Sequence, residues 1–311
     1  MNALRAVAAD ARLFDATGKP AVVAYVSESA VNLRSPGNSW VMLCDARLGC
    51  GPRTVLVEAH RALARAVSVG DTVTVGKTSV VGDAGEIVTW EHATRWRPSP
   101  PLLAGDGLGA RLSIAADIVS RHGCFLARPL ISGPVLALRD GCLGANPTAI
   151  QRAVADLAGL GPGLTPAGDD YLAGYLAALL HLATDSPAAL TARTLLRAAV
   201  NTIEPGSTHP LSQFLLGEYA AGMIPQFLDE CLRALLRPST TQRLNARVRR
   251  VLRHGATSGT EMMLGILDAG ADFRIGSHPQ RTDTGRSRPE TPTRRPGSVE
   301  ALWHSTERIH P

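Results

Sequence analysis

The run Gly161-Pro162-Gly163-Leu164-Thr165-Pro166-Ala167-Gly168-Asp169-Asp170 constrains this chain more than any other. It leads without a break into Tyr171-Leu172-Ala173-Gly174-Tyr175-Leu176-Ala177-Ala178-Leu179-Leu180. Two glycines flanking a proline cannot continue a helix. The apolar, small-residue run after them is long enough for a buried helix. Thr165-Pro166 between the two reads as an N-cap followed by proline at the first helical position. Asp169 and Asp170 then fall in the first turn, where the helix dipole favours carboxylates. Glycines at 161, 163 and 168 let backbone N–H groups approach a ligand closely, and a helix start of this kind can hold an anion. The structural alternative is a well-capped helix after a tight turn.

A second stretch repeats the pattern. Gly259-Thr260-Glu261-Met262-Met263-Leu264-Gly265-Ile266-Leu267 aligns without gaps on Gly168-Asp169-Asp170-Tyr171-Leu172-Ala173-Gly174-Tyr175-Leu176. The shared pattern is Gly, any residue, acid, three residues, Gly, any residue, Leu. Thr165 precedes the first copy and Thr257-Ser258 the second, each able to cap a helix. Each acid lies four residues before a glycine, on the same helix face, so a neighbouring helix can come close to the carboxylate. Two such helix starts facing one another would line a pocket with acids, hydroxyls and N–H groups. Asp169, Asp170 and Glu261 are therefore candidate general bases, and Asp169 and Asp170 candidate Mg²⁺ ligands, with Mg²⁺ the only cofactor this pattern suggests. His254 is a candidate acid/base, or a turn residue. Gly161, Gly163, Thr165, Gly168, Thr257, Ser258 and Gly259 are candidates for binding an anionic substrate. Tight packing of two notched helices would account for Gly174 and Gly265 but leaves the acids unexplained.

Other function classes are narrowed by composition. At 311 residues, 45% hydrophobic and 19% charged, the chain has globular values and room for two domains. Of its net charge of +5, three units come from 274–311, so the body is not a basic nucleic-acid surface. The five cysteines are scattered with no C-x-x-C, which argues against a disulfide framework or a zinc site and fits a reducing compartment. Neither a signal peptide nor a membrane span of roughly 20 apolar residues is evident, so a cytoplasmic protein is expected.

The fold class expected is α+β, with a small N-terminal barrel-like or sandwich-like β domain, an all-helical C-terminal domain and a disordered tail. Short β-branched runs at Ala21–Val26, Trp40–Leu43, Thr54–Val57, Thr72–Val75 and Glu86–Trp90 are separated by turns such as Ser35-Pro36-Gly37-Asn38 and Gly82-Asp83-Ala84-Gly85. Arg97-Pro98-Ser99-Pro100-Pro101 reads as a linker, giving a β domain over 1–98 and a helical domain over 99–274. Helices are expected near Arg111–Val119, Pro147–Leu157, Thr191–Thr202, Leu211–Ala221, Pro225–Leu236 and Gln242–Leu252, with Leu130–Asn146 interrupted by glycines. The expected helical core includes Leu172, Leu176, Leu179, Leu215, Leu264 and Leu267. The basic tail, 275–311, is rich in Arg, Thr, Ser and Pro and reads as disordered.

Three passages together carry a resemblance: Gly159 to Asp170; Ser207-Thr208 with Ser212 and Phe214-Leu215; and His254 to Gly259. In that order and spacing they resemble the bacterial AllH-like family, which includes a subunit of oxamate carbamoyltransferase. The likeness covers about 20 to 272, with Ala30-Val31-Asn32-Leu33 and Gly51-Pro52 at the expected places. Glu261 stands where the family usually carries Asp. The resemblance implies a role in purine-nitrogen catabolism, within a multi-protein enzyme that interconverts oxalurate plus phosphate with oxamate plus carbamoyl phosphate. It adds Asn32, Thr208 and Ser212 as candidate substrate-binding residues, and partner subunits as expected partners. The alternatives are a non-catalytic scaffold subunit that binds a small anion, and a nucleotide- and Mg²⁺-dependent enzyme.

Overall fold

The computed structural model describes residues 3–15, 18–273, 299 and 301–304, which divide into two compact units. The first joins Met1–Pro100 with Pro210–Asp229, and the second joins Pro101–His209 with Glu230–Pro311.

In the first unit the strands are β1 (Leu4–Asp10), β2 (Lys19–Val26), β3 (Ala30–Ser35), β4 (Ser39–Asp45), β5 (Thr54–Val57), β6 (Thr72–Val75), β7 (Ser79–Gly82), β8 (Gly85–Thr89) and β9 (Thr94–Trp96). Eight of them close into a barrel in the order β5-β4-β3-β2-β6-β7-β8-β1, sealed by antiparallel pairing of β1 with β5. On its other edge β1 pairs with β8 through Leu4 and Arg5, and with β9 through Ala8 to Asp10. Closure leaves few unpaired edge groups, the liability of an open sheet. Alternation sets the barrel's inside: in β2, Ala21 and Val23 are buried while Pro20 and Val22 are exposed. Helix α1 (His60–Ala66) adds the fully buried Leu63 to this core. The alternating runs expected from the sequence are strands. β1, β3, β7 and β9 are not among them: β7 and β9 have four and three residues, and β1 is rich in alanine, a poor strand former.

Helix α7 (Pro210–Ala220) clusters with the barrel strands rather than with the other helices. Leu211 packs with Trp40 and Met42, and the Asn38 side-chain amide donates to the Pro210 carbonyl at 3.0 Å. Leu215, expected in the helical core, is instead half-buried beside Trp40 and Met42.

The second unit is helical: α2 (Leu108–His122), α3 (Arg128–Leu143), α4 (Pro147–Leu157), α5 (Ala167–Leu182), α6 (Pro187–Asn201), α9 (Thr241–Leu252) and α10 (Ser258–Phe273), together with the second half of α8 (Gln226–Leu236). The Leu130–Asn146 stretch forms most of α3 despite Gly133, Pro134 and Gly141. Burial of Ile131, Val135 and Leu138 on one face outweighs the poor propensity of those residues. At the centre lie α5, buried at every position but Leu180, and α10. No helix among the described residues is long and apolar enough to cross a membrane. The tail expected to be disordered falls outside the described residues except at 299 and 301–304, where a short helix buries Leu302.

Candidate functional site

The two Gly-x-acid stretches begin α5 and α10, and their glycines let the backbones touch. A Cβ on Gly174 would sit 2.0 Å from the Met262 carbonyl oxygen, and one on Gly265 would sit 2.3 Å from the Tyr171 carbonyl oxygen. No side chain fits at either contact. The first glycine of each repeat packs on the preceding helix in the same way. A Cβ on Gly168 would meet the Leu157 carbonyl oxygen at 2.1 Å, and one on Gly259 would meet that of Val251 at 1.9 Å. Each stretch is thus a helix–turn–helix unit, α4 into α5 and α9 into α10, with one glycine for its own hairpin and one for its counterpart.

The residue after the first glycine ties each helix start to a loop. Asp169 accepts the Gly159 N–H at 2.9 Å through one oxygen and the Thr208 hydroxyl through the other. Gly159 has φ +75°, and a Cβ there would collide with the Ser207 carbonyl, so glycine holds the loop against this passage. Thr260, at the matching position in α10, accepts the Cys124 N–H at 2.9 Å.

One residue further on, the acids lack such ties. Asp170 and Glu261 are 2% and 1% exposed. Asp170 Oδ2 and both Glu261 carboxylate oxygens are buried without a formed hydrogen bond. Burial pushes Asp170 well above the usual carboxylate range; a Ser258 hydrogen bond opposes this, the charges of Glu261 and Asp169 add to it, and Thr165 opposes it. Glu261 is pushed up to about 7 by burial, partly offset by its own backbone N–H and the Thr257 hydroxyl. The Thr165 and Ser258 hydroxyl oxygens lie 3.2 Å apart and join the two helix starts. This arrangement can hold one proton between two acids, and it can accept hydrogen bonds in a desolvated setting.

The N–H groups expected at an anion site are partly committed. The Gly168 N–H donates to the Leu160 carbonyl and the Gly259 N–H to the His254 carbonyl, both at 2.9 Å. Gly161 and Gly163 have φ of +115° and +100° and form the turn before α5. His254 ends the α9 hairpin, and burial holds its imidazole below the usual histidine range, so it is neutral at pH 7. The structure thus brings Thr165, Asp170, Ser258 and Glu261 together, with Asp169 and Thr208 as a neighbouring pair. Asn32 on β3 and Ser212 on α7 are buried residues of the first unit. Among the described residues no three His, Cys, Asp or Glu side chains group in a way that could hold a metal ion.

Further along α5 and α10 lies a charged layer absent from the sequence reading. Tyr171 donates to Asp268 at 2.9 Å, and Tyr175 to Asp272 at 3.0 Å. Arg139 of α3 reaches Asp272 at 2.6 Å and Asp268 at 3.3 Å, while the Trp303 indole donates to Asp268 at 3.1 Å. Burial pushes Asp268 up to about 7, with Arg139 opposing. Asp268 lies seven residues after Glu261, a helical spacing that would have placed it on the same face.

The match to known proteins falls mostly on the second unit and takes in α7 of the first. Residues 157–270 match the family described as oxamate carbamoyltransferase subunit AllH. The matched segment runs from the end of α4 to near the end of α10 and includes all three passages of the resemblance. Ala30–Leu33 and Gly51-Pro52 lie outside it. The chain matches no curated protein and no solved structure.

Proposed function

We propose that this chain is a subunit of an oxamate carbamoyltransferase-like enzyme that works in the cytoplasm with partner subunits, in purine-nitrogen catabolism. The reaction is carbamoyl transfer between oxalurate plus phosphate and oxamate plus carbamoyl phosphate. The carrying observation is that the AllH-matched segment contains two helix starts whose buried acids, Asp170 and Glu261, have carboxylate oxygens without partners. Leaving buried polar atoms unsatisfied costs about 1–3 kcal/mol each, so such a pair does not serve stability. Glu261, held near 7, has the acid strength of a group that exchanges protons at neutral pH.

The test is formation of carbamoyl phosphate from oxalurate and phosphate by the chain alone, and by the chain with its co-purified partners. Activity in the complex that is lost in Asp170→Asn, with the complex still assembled, supports the reading. Full activity in Asp170→Asn would remove the helix-start junction from the reaction.

A further inference from the structure

We propose that Arg53, in the first unit, is the binding residue for an oxyanion, the phosphate or carboxylate group of a small substrate. The oxyanion class rests on the geometry around Arg53; naming phosphate and oxamate as its sources rests on the carbamoyl-transfer reading. That reaction handles anions on both sides, and the α5 and α10 starts offer them few donors. The N–H groups of Gly168, Gly259, Asp170 and Glu261 already donate to the carbonyls of Leu160, His254, Pro166 and Thr257.

Arg53 holds a backbone conformation that a side chain disfavours. Gly51-Pro52-Arg53-Thr54 forms the turn into β5, closed by the Thr54 N–H on the Gly51 carbonyl at 3.3 Å. Proline stands second in this turn, and the third residue, Arg53, has φ +53°. Glycine or asparagine is usual at such a position, because a Cβ is crowded there. The conformation is fixed from both sides. The Arg53 N–H donates to Asp10 Oδ2 at 2.7 Å, and the Arg53 carbonyl accepts the Met42 N–H at 3.0 Å.

The side chain gains no protein partner in return. Arg53 is half-buried, its Nε is buried without a hydrogen bond, and among the described residues its guanidinium forms no ion pair. Acids are at hand, and Arg12 takes them. Both Asp10 oxygens accept from the Arg12 guanidinium, the shortest contact being 2.6 Å, and Arg12 also pairs with Glu218 of α7 at 2.7 Å. Asp10 therefore holds Arg53 by its backbone alone. An unpaired, desolvated N–H on a cation costs free energy, and so does a non-glycine residue at this φ. Glycine would avoid both costs, and a residue that carries them together is a functional candidate. The ligand class follows from what is unfilled. Nε and a neighbouring Nη form a planar fork of donors that matches two oxygens of a carboxylate or a phosphate. A cation would be repelled, and a neutral amide offers one oxygen where the fork takes two.

Calorimetric titration of the full chain with inorganic phosphate and with oxamate, alongside urea unfolding, tests the assignment. At least one of the two should saturate, and which one does so identifies the source of the oxyanion. Arg53→Gly should weaken that binding by about tenfold or more, the usual result of removing a charge-assisted hydrogen bond. Its urea midpoint should stay at or above the native one, because glycine relieves the turn. Arg53→Lys keeps the charge without the fork and should bind between the native chain and Arg53→Gly. A merely structural arginine gives the opposite pattern, stability lost and binding kept in the folded protein. The proposal is overturned if neither ion saturates, if Arg53→Gly binds as the native chain does, or if its midpoint falls below the native one. Failure of the functional reading looks different: anion binding that depends on Arg53, with no carbamoyl phosphate formed by the complex.

Discussion

The starts of α5 and α10 use the same two positions for opposite ends. At the first, Asp169 and Thr260 are each tied to a loop N–H, Gly159 or Cys124. At the second, Asp170 Oδ2 and both Glu261 carboxylate oxygens are buried without a formed hydrogen bond. The two positions are adjacent in sequence, alike in burial, and in α5 occupied by the same residue type. What separates them is direction. On a helix, neighbours differ by about 100°, so the first position faces a neighbouring loop and the second faces the other helix start. An aspartate pair that reads as one acidic motif is therefore one fastened carboxylate and one with an open oxygen.

The comparison breaks hardest at the glycines that hold the helices together. Gly174→Ala places a methyl where the Met262 carbonyl already lies, at 2.0 Å, and the backbone can yield only by parting α5 from α10. A loss of about 4 kcal/mol or more in chemical denaturation is expected, enough to leave little native protein. Gly217→Ala in α7 meets nothing within 4 Å and should instead raise stability by up to about 1 kcal/mol. Equal effects from the two would mean that the notch is not a constraint.

A smaller but more telling effect belongs to the second position. Glu261 is raised from an ordinary 4.5 to about 7 in the folded chain. Between those values the native state holds a proton that the unfolded chain has lost, so stability falls as pH rises from about 4.5 to about 7 and is level above that. The loss attached to this one group is on the order of 3 kcal/mol. Asp170 and Asp268 are shifted in the same direction, so the native slope alone does not isolate Glu261. Comparison with Glu261→Gln does. Urea midpoints at about pH 5 and about pH 8 should differ much less in the variant, and an unchanged difference would place Glu261 in contact with solvent or a cation.

Much of this was legible in the chain. The gapless alignment of Gly168-to-Leu176 on Gly259-to-Leu267 held both notch glycines and both open acids, because backbone contact admits only glycine and so marks itself in sequence. Barrel closure was not legible. It depends on β1 pairing with β5, some 50 residues away, and on a short edge shared by β8 and β9. The division between Asp169 and Asp170 was also hidden, since Thr208 approaches Asp169 from 39 residues away. For the same reason the Tyr171–Asp268 and Tyr175–Asp272 pairs, each 97 residues apart, carried no local signal.

The first position supplies the sharpest refinement, because its two members differ in charge. Thr208→Val removes the hydroxyl that donates to Asp169 and leaves one oxygen of a buried carboxylate unpaired, a loss of about 2 kcal/mol. Thr260→Val removes the acceptor for the Cys124 N–H, a neutral bond at a half-buried loop where water can substitute, so about 1 kcal/mol is expected. Neither hydroxyl is hydrogen-bonded to Asp170 or Glu261. Both variants should therefore bind oxamate as the native chain does once corrected for the folded fraction. If Thr208→Val instead abolished binding in fully folded protein, Asp169 would be acting on the ligand, and the separation of fastened from open position would fall with it.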